Sequence, residues 1–336
     1  MTSPWDGIVR AVAAFDHWVR DPVNPRPLAW FRSWLGLLSL VNLWLIWPDM
    51  NMWLGNDGVV PPAVHSEEIA GARISVFMIT GYSDAAIIII RGLALAGGLG
   101  LWLGICPRSA AFCAWLAAVS YSWRNMHILH SGDNLIRIGT FFLIFARTEG
   151  VLSLPLAMRR RFSPPTGPGD AACPGLVPAW PQRILQIQLC ILYLAAGIWK
   201  ALGPTWRNGT AVGLVLQLGE FQRFPIPDFF MTPGMSRVMT YGTLAFELAF
   251  PLLVWIPRLR LPVLMAGLAF HAGLDWAMNV QLFQWLITAY YLLWLQPLSP
   301  SLPASSAPRS APVCSDRPAR PTPRSSSSPA PSRAPS

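Results

Sequence analysis

The chain has 336 residues, of which 53% are hydrophobic and 12% are charged. Soluble proteins contain about 25% charged residues, so this composition excludes an ordinary soluble globular protein. The net charge of +9 does not predict nucleic-acid binding, because the arginines fall in short loops and in the tail, where they indicate membrane topology and contact with anionic lipid.

The cysteines and histidines form no pattern typical of a disulfide framework or a metal site. The five cysteines show no paired spacing. His127 and His130 are three residues apart, which is loose for a metal pair, and no third ligand is near in the sequence. We therefore predict no metal.

Residues 1–27 predict an amphipathic helix that lies in the membrane interface. Apolar residues recur at helical spacing, and the charged residues mostly occupy the other positions. The apolar members are Trp5, Ile8, Val9, Val12, Phe15 and Trp18. No apolar core of signal-peptide length is present, so we expect no cleaved signal here.

Eight apolar runs follow, each long enough, or nearly so, to cross about 30 Å of hydrocarbon. They lie at approximately 29–47, 85–105, 109–123, 134–151, 183–201, 236–256, 261–276 and 281–296. We therefore predict an all-α fold, a polytopic integral membrane helical bundle of about eight transmembrane helices within residues 28–296.

Two segments break this pattern. Residues 162–181 are rich in proline and glycine, which predicts a cytoplasmic linker between two four-helix halves. Residues 297–336 are Pro, Ser, Ala and Arg with scarcely any large apolar side chain, which predicts a disordered basic tail.

Arginine placement predicts the orientation, because positive charge collects on the cytoplasmic side of short loops. With a cytoplasmic N terminus, the arginine-rich segments at 159–161, at 258–260 and in the tail all fall in the cytoplasm. We therefore predict a multi-pass protein of the cell membrane with both termini cytoplasmic.

Ionisable residues in or beside the spans are the candidate functional groups, since each costs at least about 2.5–3.5 kcal/mol on insertion scales. They are Arg91, Asp133, Arg137, Lys200, Glu247, His271 and Asp275. Asp133 and Arg137 are four residues apart, as are His271 and Asp275, so each pair shares a helix face and can form an ion pair.

Several polar groups fall toward the non-cytoplasmic ends of the predicted spans, which predicts a shared pocket that opens outward. They are Arg124, His127, His130, Asp133, Lys200, His271 and Asp275. Lys200, the only lysine, has two interpretations. It is a cation that anchors a helix at the interface, or, among Trp199, Ala201 and Leu202, it is a general base or nucleophile.

Four separated stretches carry a resemblance to a known family. They comprise Pro27-Leu28-Ala29, Phe31-Arg32, Gly36-Leu37, Trp53 and Asp57-Gly58; Ser122-Trp123-Arg124-Asn125, Ser131-Gly132-Asp133 and Arg137; Gln188, Tyr193, Ala196-Gly197, Lys200, Trp206 and Gly209; and His271, Met278-Asn279 and Gln281-Leu282-Phe283. In order and spacing, residues 5–296 resemble the HTTM family, the transmembrane domain shared by vitamin K-dependent gamma-carboxylase and many uncharacterised bacterial proteins.

The resemblance implies a chemistry for Lys200, which occupies the position of the lysine that deprotonates vitamin K hydroquinone in the carboxylase. A reduced isoprenoid quinone is therefore the expected ligand. The carboxylase histidine of the second stretch corresponds to Met126, and His127 follows one residue later. We assign candidate catalytic roles to Lys200, His271 and His127, and candidate binding roles to Arg124, Asn125, Asp133, Arg137, Trp206, Glu247 and Asp275.

The residues leave three functions open. The first is binding of an isoprenoid quinol in the membrane, with Lys200 as the proton acceptor. No soluble domain like that of the carboxylase follows the last predicted span, so we do not expect carboxylation of peptide glutamate. The second is a non-enzymatic membrane accessory protein for export or tolerance of a small peptide. The third is a small-solute transporter, although no internal repeat is visible.

The predicted topology is tested by reporter fusions. Because the arginine-rich segments stay in the cytoplasm, fusions after Arg161 and within the tail should report cytoplasm, and fusions near Asp57 and Arg207 should report the opposite side. A cytoplasmic signal at Asp57 would contradict the eight-span topology.

Overall fold

The computed structural model describes residues 4–64, 74–162 and 175–295, without the side chains of Pro4, Arg159 and Arg160. The tail predicted at 297–336 and most of the proline-rich linker predicted at 162–181 lie outside these residues. All statements about contacts refer to the described part of the chain.

The described residues are mostly helical. The first part contains α1 (Pro4–Arg20), α2 (Arg26–Ile46), α3 (Met50–Leu54), α4 (Phe77–Thr80), α5 (Asp84–Leu103), α6 (Pro107–Arg124), α7 (Ser131–Leu143) and α8 (Leu154–Phe162). The second part contains α9 (Trp180–Leu202), α10 (Pro204–Arg207), α11 (Ala211–Leu216), α12 (Asp228–Met231), α13 (Pro233–Leu253), α14 (Pro257–Ala277) and α15 (Phe283–Tyr291). Short 3₁₀ turns lie at Gly219–Phe221 and Leu292–Trp294. The prediction of a helical fold is therefore confirmed.

A single short strand pair was identified in the described residues. Strands β1 (Pro22–Val23) and β2 (Val177–Pro178) run antiparallel, with Val23 opposite Val177. This pair joins the segment before α2 to the segment before α9, so the N termini of two long apolar helices lie at the same end of the molecule.

Three helices, α2, α5 and α9, are long and apolar enough to cross a membrane by length and composition. Helix α7 has 13 residues, about 20 Å at 1.5 Å per residue, and α15 has nine, about 14 Å. Neither reaches about 30 Å alone. The prediction of eight transmembrane helices is therefore not confirmed, although each predicted run contains helix.

The run predicted at 134–151 is helical only to Leu143, and a buried arginine on α2 explains its irregular end. The Arg32 guanidinium donates to the carbonyl oxygens of Thr148 at 3.0 Å, Val151 at 3.3 Å and Leu152 at 2.6 Å. A continuing helix would use its carbonyl groups internally. The apolar segment after α7 therefore forms a loop around the guanidinium.

Helix α15 joins the two halves of the described bundle. It packs on α2 and α7 of the first half and on α9 and α14 of the second. Its Tyr290 is fully buried, donates its hydroxyl to the Leu135 carbonyl at 2.8 Å, and meets Phe31 edge-on at 4.7 Å between ring centroids. A nine-residue helix thus lies at the centre of the core.

Close helix approaches in the first half require glycine. A Cβ atom on Gly36 would lie 2.5 Å from the Trp102 backbone nitrogen, and one on Gly97 would lie 2.5 Å from the Ala114 backbone nitrogen. Small residues at such crossings let helix backbones approach closely. In a membrane, helix association depends on this van der Waals packing, because the hydrophobic effect does not favour contact between helices in lipid. Helix α5 is therefore held between α2 and α6.

Helix α1 coincides with the predicted amphipathic segment. Its apolar residues Trp5, Ile8, Val9, Val12 and Phe15 are exposed. Near its end, Trp18 packs edge-on against Trp255 with ring centroids 5.5 Å apart. The interfacial location of this helix stays a prediction.

Arg32→Lys should destabilise the protein, because one ammonium group cannot replace a planar fork that donates to three carbonyl groups. Each carbonyl left buried without a donor costs about 1–3 kcal/mol. Thermal unfolding of the detergent-solubilised protein, followed by tryptophan fluorescence, measures the loss. The control is Arg108→Lys, since Arg108 is exposed and donates to a single carbonyl group, that of Ile144, within the described part of the chain. Equal effects of the two changes would contradict the role of Arg32.

Candidate functional site

A large apolar cavity lies in the second half, between α9, α10, α11, α13 and α14. Its volume is about 580 Å³, which falls within the range of about 300–1,000 Å³ typical of small-molecule sites. Its wall includes the apolar side chains of Trp206, Phe230, Met239, Phe270, Leu274 and Met278. Such a wall suits a hydrophobic ligand.

One ion pair lies in this apolar wall. Lys200 Nζ donates to Glu247 Oε1 at 2.6 Å and to Oε2 at 2.8 Å. The Lys200 side chain is 29% exposed and that of Glu247 is 7% exposed. Both residues line the cavity, so the pair offers a proton donor and a proton acceptor to any molecule bound there.

The local sequence brings the two charges together. Lys200 lies in the last turn of α9, and three residues earlier Gly197 faces α13, where a Cβ atom would lie 2.8 Å from Leu248 Cδ2 and 3.4 Å from Glu247 Cβ. Glycine therefore allows α13 to approach. Helix α10 then turns the chain so that the Trp206 ring lies 5.5 Å from Lys200 Nζ, within range of a cation–π interaction.

The segment between α11 and α13 closes the cavity on one side. Arg223 Nη1 donates to Asp275 Oδ2 at 2.8 Å, and Gln222 forms an antiparallel bridge with Met278 at the end of α14. Asp275 therefore pairs with Arg223, and the predicted pairing of His271 with Asp275 is wrong. Helical spacing placed the two on one face, but their side chains have partners on different elements.

His271 belongs to a separate polar chain inside the core. Its Nδ1 donates to Gln284 Oε1, and its Nε2 shares a hydrogen bond of 2.5 Å with the Tyr193 hydroxyl. The Tyr193 hydroxyl also shares a hydrogen bond of 2.5 Å with the Tyr291 hydroxyl. His271 is 3% exposed, and both of its ring nitrogens form hydrogen bonds inside the core. It does not line the large cavity. Its catalytic role stays a prediction.

Two predicted site residues of the first half hold a loop. Arg124 donates to the carbonyl oxygens of Leu54 at 3.0 Å and of Gly55 and Val60 at 2.8 Å. Asn125 donates to the Trp53 carbonyl at 3.2 Å. Both side chains therefore fix the segment after α3.

The remaining predicted residues of this half surround the start of α7. The Asn125 side-chain oxygen accepts the backbone N–H of His127 at 3.1 Å. Asp133 caps α7, while Arg137 donates to Asn134 at 2.6 Å. The predicted pairing of Asp133 with Arg137 is therefore wrong, because the arginine side chain is directed to a nearer amide.

The structure divides the predicted outward pocket between the two halves. Of the ten predicted site residues, Lys200, Trp206 and Glu247 line the large cavity. Sequence reasoning named both Lys200 and Glu247 but did not pair them, since they are 47 residues apart. It assigned no role to Tyr193, Gln284 or Arg223, although Tyr193 belongs to the stretches that resemble the family.

Among the described residues, no group of three or more His, Cys, Asp or Glu side chains is placed to hold a metal ion.

The sequence model of the HTTM domain matches residues 21–298. This chain belongs to the HTTM domain family. No curated protein and no solved structure matches the chain.

Membership of the HTTM family and the three apolar helices together identify a membrane protein. The matched range includes every element that forms the large cavity. The cavity therefore lies within the HTTM domain, and the resemblance stated from the sequence is confirmed.

Glu247→Leu should destabilise this HTTM-domain protein, because it leaves the Lys200 ammonium group without a counter-charge in an apolar wall. We expect a loss of about 1–3 kcal/mol in the free energy of unfolding, since Lys200 is partly exposed. The double variant Lys200→Met/Glu247→Leu should recover most of the loss, because it removes both charges. Thermal unfolding in detergent measures both. A double variant no more stable than the single one would contradict the ion pair.

Proposed function

We propose that the large cavity binds a lipid-soluble compound with an acidic hydroxyl group, a reduced isoprenoid quinone in particular, and that Lys200 and Glu247 together take its proton. The observation that carries this proposal is the ion pair in the wall of an apolar cavity of about 580 Å³. An apolar wall accommodates an isoprenoid chain and an aromatic ring, and the ion pair provides the polar contact that orients the hydroxyl group.

The ion pair gives a route for the proton that Lys200 alone lacks. A lysine ammonium group cannot accept a proton, but at 2.6 Å it can transfer one to the Glu247 carboxylate. Nitrogen then accepts the hydroxyl proton of the ligand, which leaves an ammonium group, a carboxylic acid and a quinolate anion. One proton moves from the ligand to the pair, and the ammonium group stabilises the anion.

Aromatic side chains of the wall support a ring-shaped ligand. Trp206, Phe230, Phe270 and Trp276 all line the cavity, and aromatic rings favour offset or edge-on contact with one another. A quinol ring bound among them would place its hydroxyl group toward the single charged pair in the cavity wall. Both requirements of the ligand, an apolar body and one acidic hydroxyl, therefore correspond to observed groups.

The proposed topology keeps eight crossings with both termini in the cytoplasm. Helices α7 and α15 are short, yet α15 is enclosed by α2, α7, α9 and α14. Irregular backbone at membrane depth is tolerated where protein surrounds it. The loop around Arg32 satisfies this requirement, because its carbonyl groups accept from the guanidinium.

A second candidate function is a non-enzymatic accessory protein that binds a lipid-soluble molecule or supports export or tolerance of a small peptide. The observation that favours it is the pairing itself, because an ammonium group bound to both carboxylate oxygens is stable without any reaction. The two functions make different demands on position 200. Binding needs a cation, whereas proton transfer needs a group that can lose its proton.

Lys200→Arg should therefore separate the two functions. Arginine keeps the charge and stays protonated, so the variant should bind a short-chain isoprenoid naphthoquinol but should not deprotonate it. Quinolate reacts with oxygen faster than quinol, so oxygen uptake by protein in nanodiscs reports deprotonation. We expect wild type to accelerate uptake and both Lys200→Arg and Lys200→Ala to lower the rate by about 10²-fold or more.

The matched control is Trp199→Phe, since Trp199 is 75% exposed and lies beside Lys200 without lining the cavity. Thermal stabilisation by the quinol reports binding separately from oxygen uptake. Full activity of Lys200→Arg would overturn proton transfer through Lys200. Absence of stabilisation in wild type would overturn quinol binding.

A further inference from the structure

A buried carboxylate lies in the first half of the bundle, away from the elements of the large cavity. The Asp133 side chain is 6% exposed and lies in the first turn of α7. Its Oδ2 accepts the backbone N–H of His130 at 3.0 Å, which completes a cap of the helix. One backbone N–H orients a carboxylate but does not neutralise its charge.

Neither neighbouring cationic side chain, His130 or Arg137, donates a hydrogen bond to the Asp133 carboxylate within the described part of the chain. His130 Nδ1 accepts the backbone N–H of Gly132 at 2.9 Å, so this ring nitrogen is directed to the helix backbone and not to the carboxylate. His130 Nε2 lies 3.7 Å from Asp133 Oδ2, beyond hydrogen-bond range. Arg137 donates to Asn134 and lies over the Trp123 ring.

A small cavity adjoins this carboxylate. Its volume is about 50 Å³, and Asp133 shares its wall with the oxygen-bearing side chains of Ser39, Asn42, Tyr121 and Ser122. Ser122 is 1% exposed, and its Oγ has no hydrogen-bond partner within the described part of the chain. An unpartnered buried hydroxyl group is costly unless something in the cavity uses its lone pairs.

We propose that this cavity binds a monovalent cation of the size of sodium. Carboxylate, hydroxyl and amide oxygens are hard ligands, which suit alkali and alkaline-earth cations rather than transition metals. The one formal negative charge favours a monovalent ion, since a divalent ion would leave a net positive charge among apolar helices. A water molecule needs about 10–15 Å³ of such volume, so a cation with one or two waters fits and a full hydration shell does not.

The bound cation would join α2, α6 and α7, because Ser39 and Asn42 belong to α2, Tyr121 and Ser122 to α6, and Asp133 to α7. It would thereby stabilise the first half of the bundle. This site shares no residue with the quinol cavity, so its test is independent of the proposed function.

The test is the thermal unfolding of the full-length protein in detergent, with NaCl replacing choline chloride at constant ionic strength. Ligand that binds only the folded state raises the unfolding temperature saturably. We expect such a rise for wild type, no rise for Asp133→Asn, and an apparent affinity weakened about tenfold for Ser122→Ala. Asparagine keeps an oxygen that can accept the His130 N–H, so the helix cap is retained.

The matched control is Ser120→Ala. Ser120 is a buried hydroxyl on the same helix, but it accepts from the Val76 backbone and donates to Leu116, and it does not line the cavity. Its loss should lower the unfolding temperature without changing the response to sodium. Retention of radioactive sodium by the purified protein gives a direct reading. Equal responses of wild type to sodium and choline, or an undiminished sodium response in Asp133→Asn, would overturn the proposal.

Discussion

The structure depends on one constraint, which is that a charged group among apolar helices must find its partners inside the fold. The protein satisfies this constraint in two ways. Arg32 and Arg124, both almost fully buried, donate to backbone carbonyl groups of loops and leave no carboxylate buried with them. Lys200 instead forms an ion pair with the carboxylate of Glu247. The first solution fixes loops at helix ends, and the second places an ion pair in a cavity wall.

These two solutions explain why the halves of the bundle differ. In the first half, arginines hold irregular segments, and glycines bring α2, α5 and α6 into close contact. The cavity beside Asp133 is small, at about 50 Å³. In the second half, α10 to α12 are short and the chain between α11 and α13 folds over the wall, where Arg223 binds Asp275. The large cavity therefore lies in the second half, whereas the helices of the first half pack more closely.

The sequence identified candidate polar residues, but it did not predict which side chains they would bind. Lys200 and Glu247 stood out because each is an ionisable group in an apolar run, but no periodicity relates two positions 47 residues apart. Asp133 and Arg137 share a helix face, yet a shared face permits a contact without requiring it, and the Asn134 amide lies nearer to the guanidinium. The same limit applies to His271, whose ring is bound by Tyr193 and Gln284 on two other helices.

The sequence by itself determined that this is a helical membrane protein of the HTTM family and where most of its apolar helices lie, because hydrophobic runs and motif order are local properties of the chain. It predicted too long a helix at α7, because an apolar run does not reveal that the carbonyl groups of its last residues accept from Arg32 instead of extending the helix. Only the tertiary structure decided which charges meet, which polar groups share a cavity and which remain apart. Those outcomes depend on helix packing and side-chain direction, which bring together residues far apart in the chain.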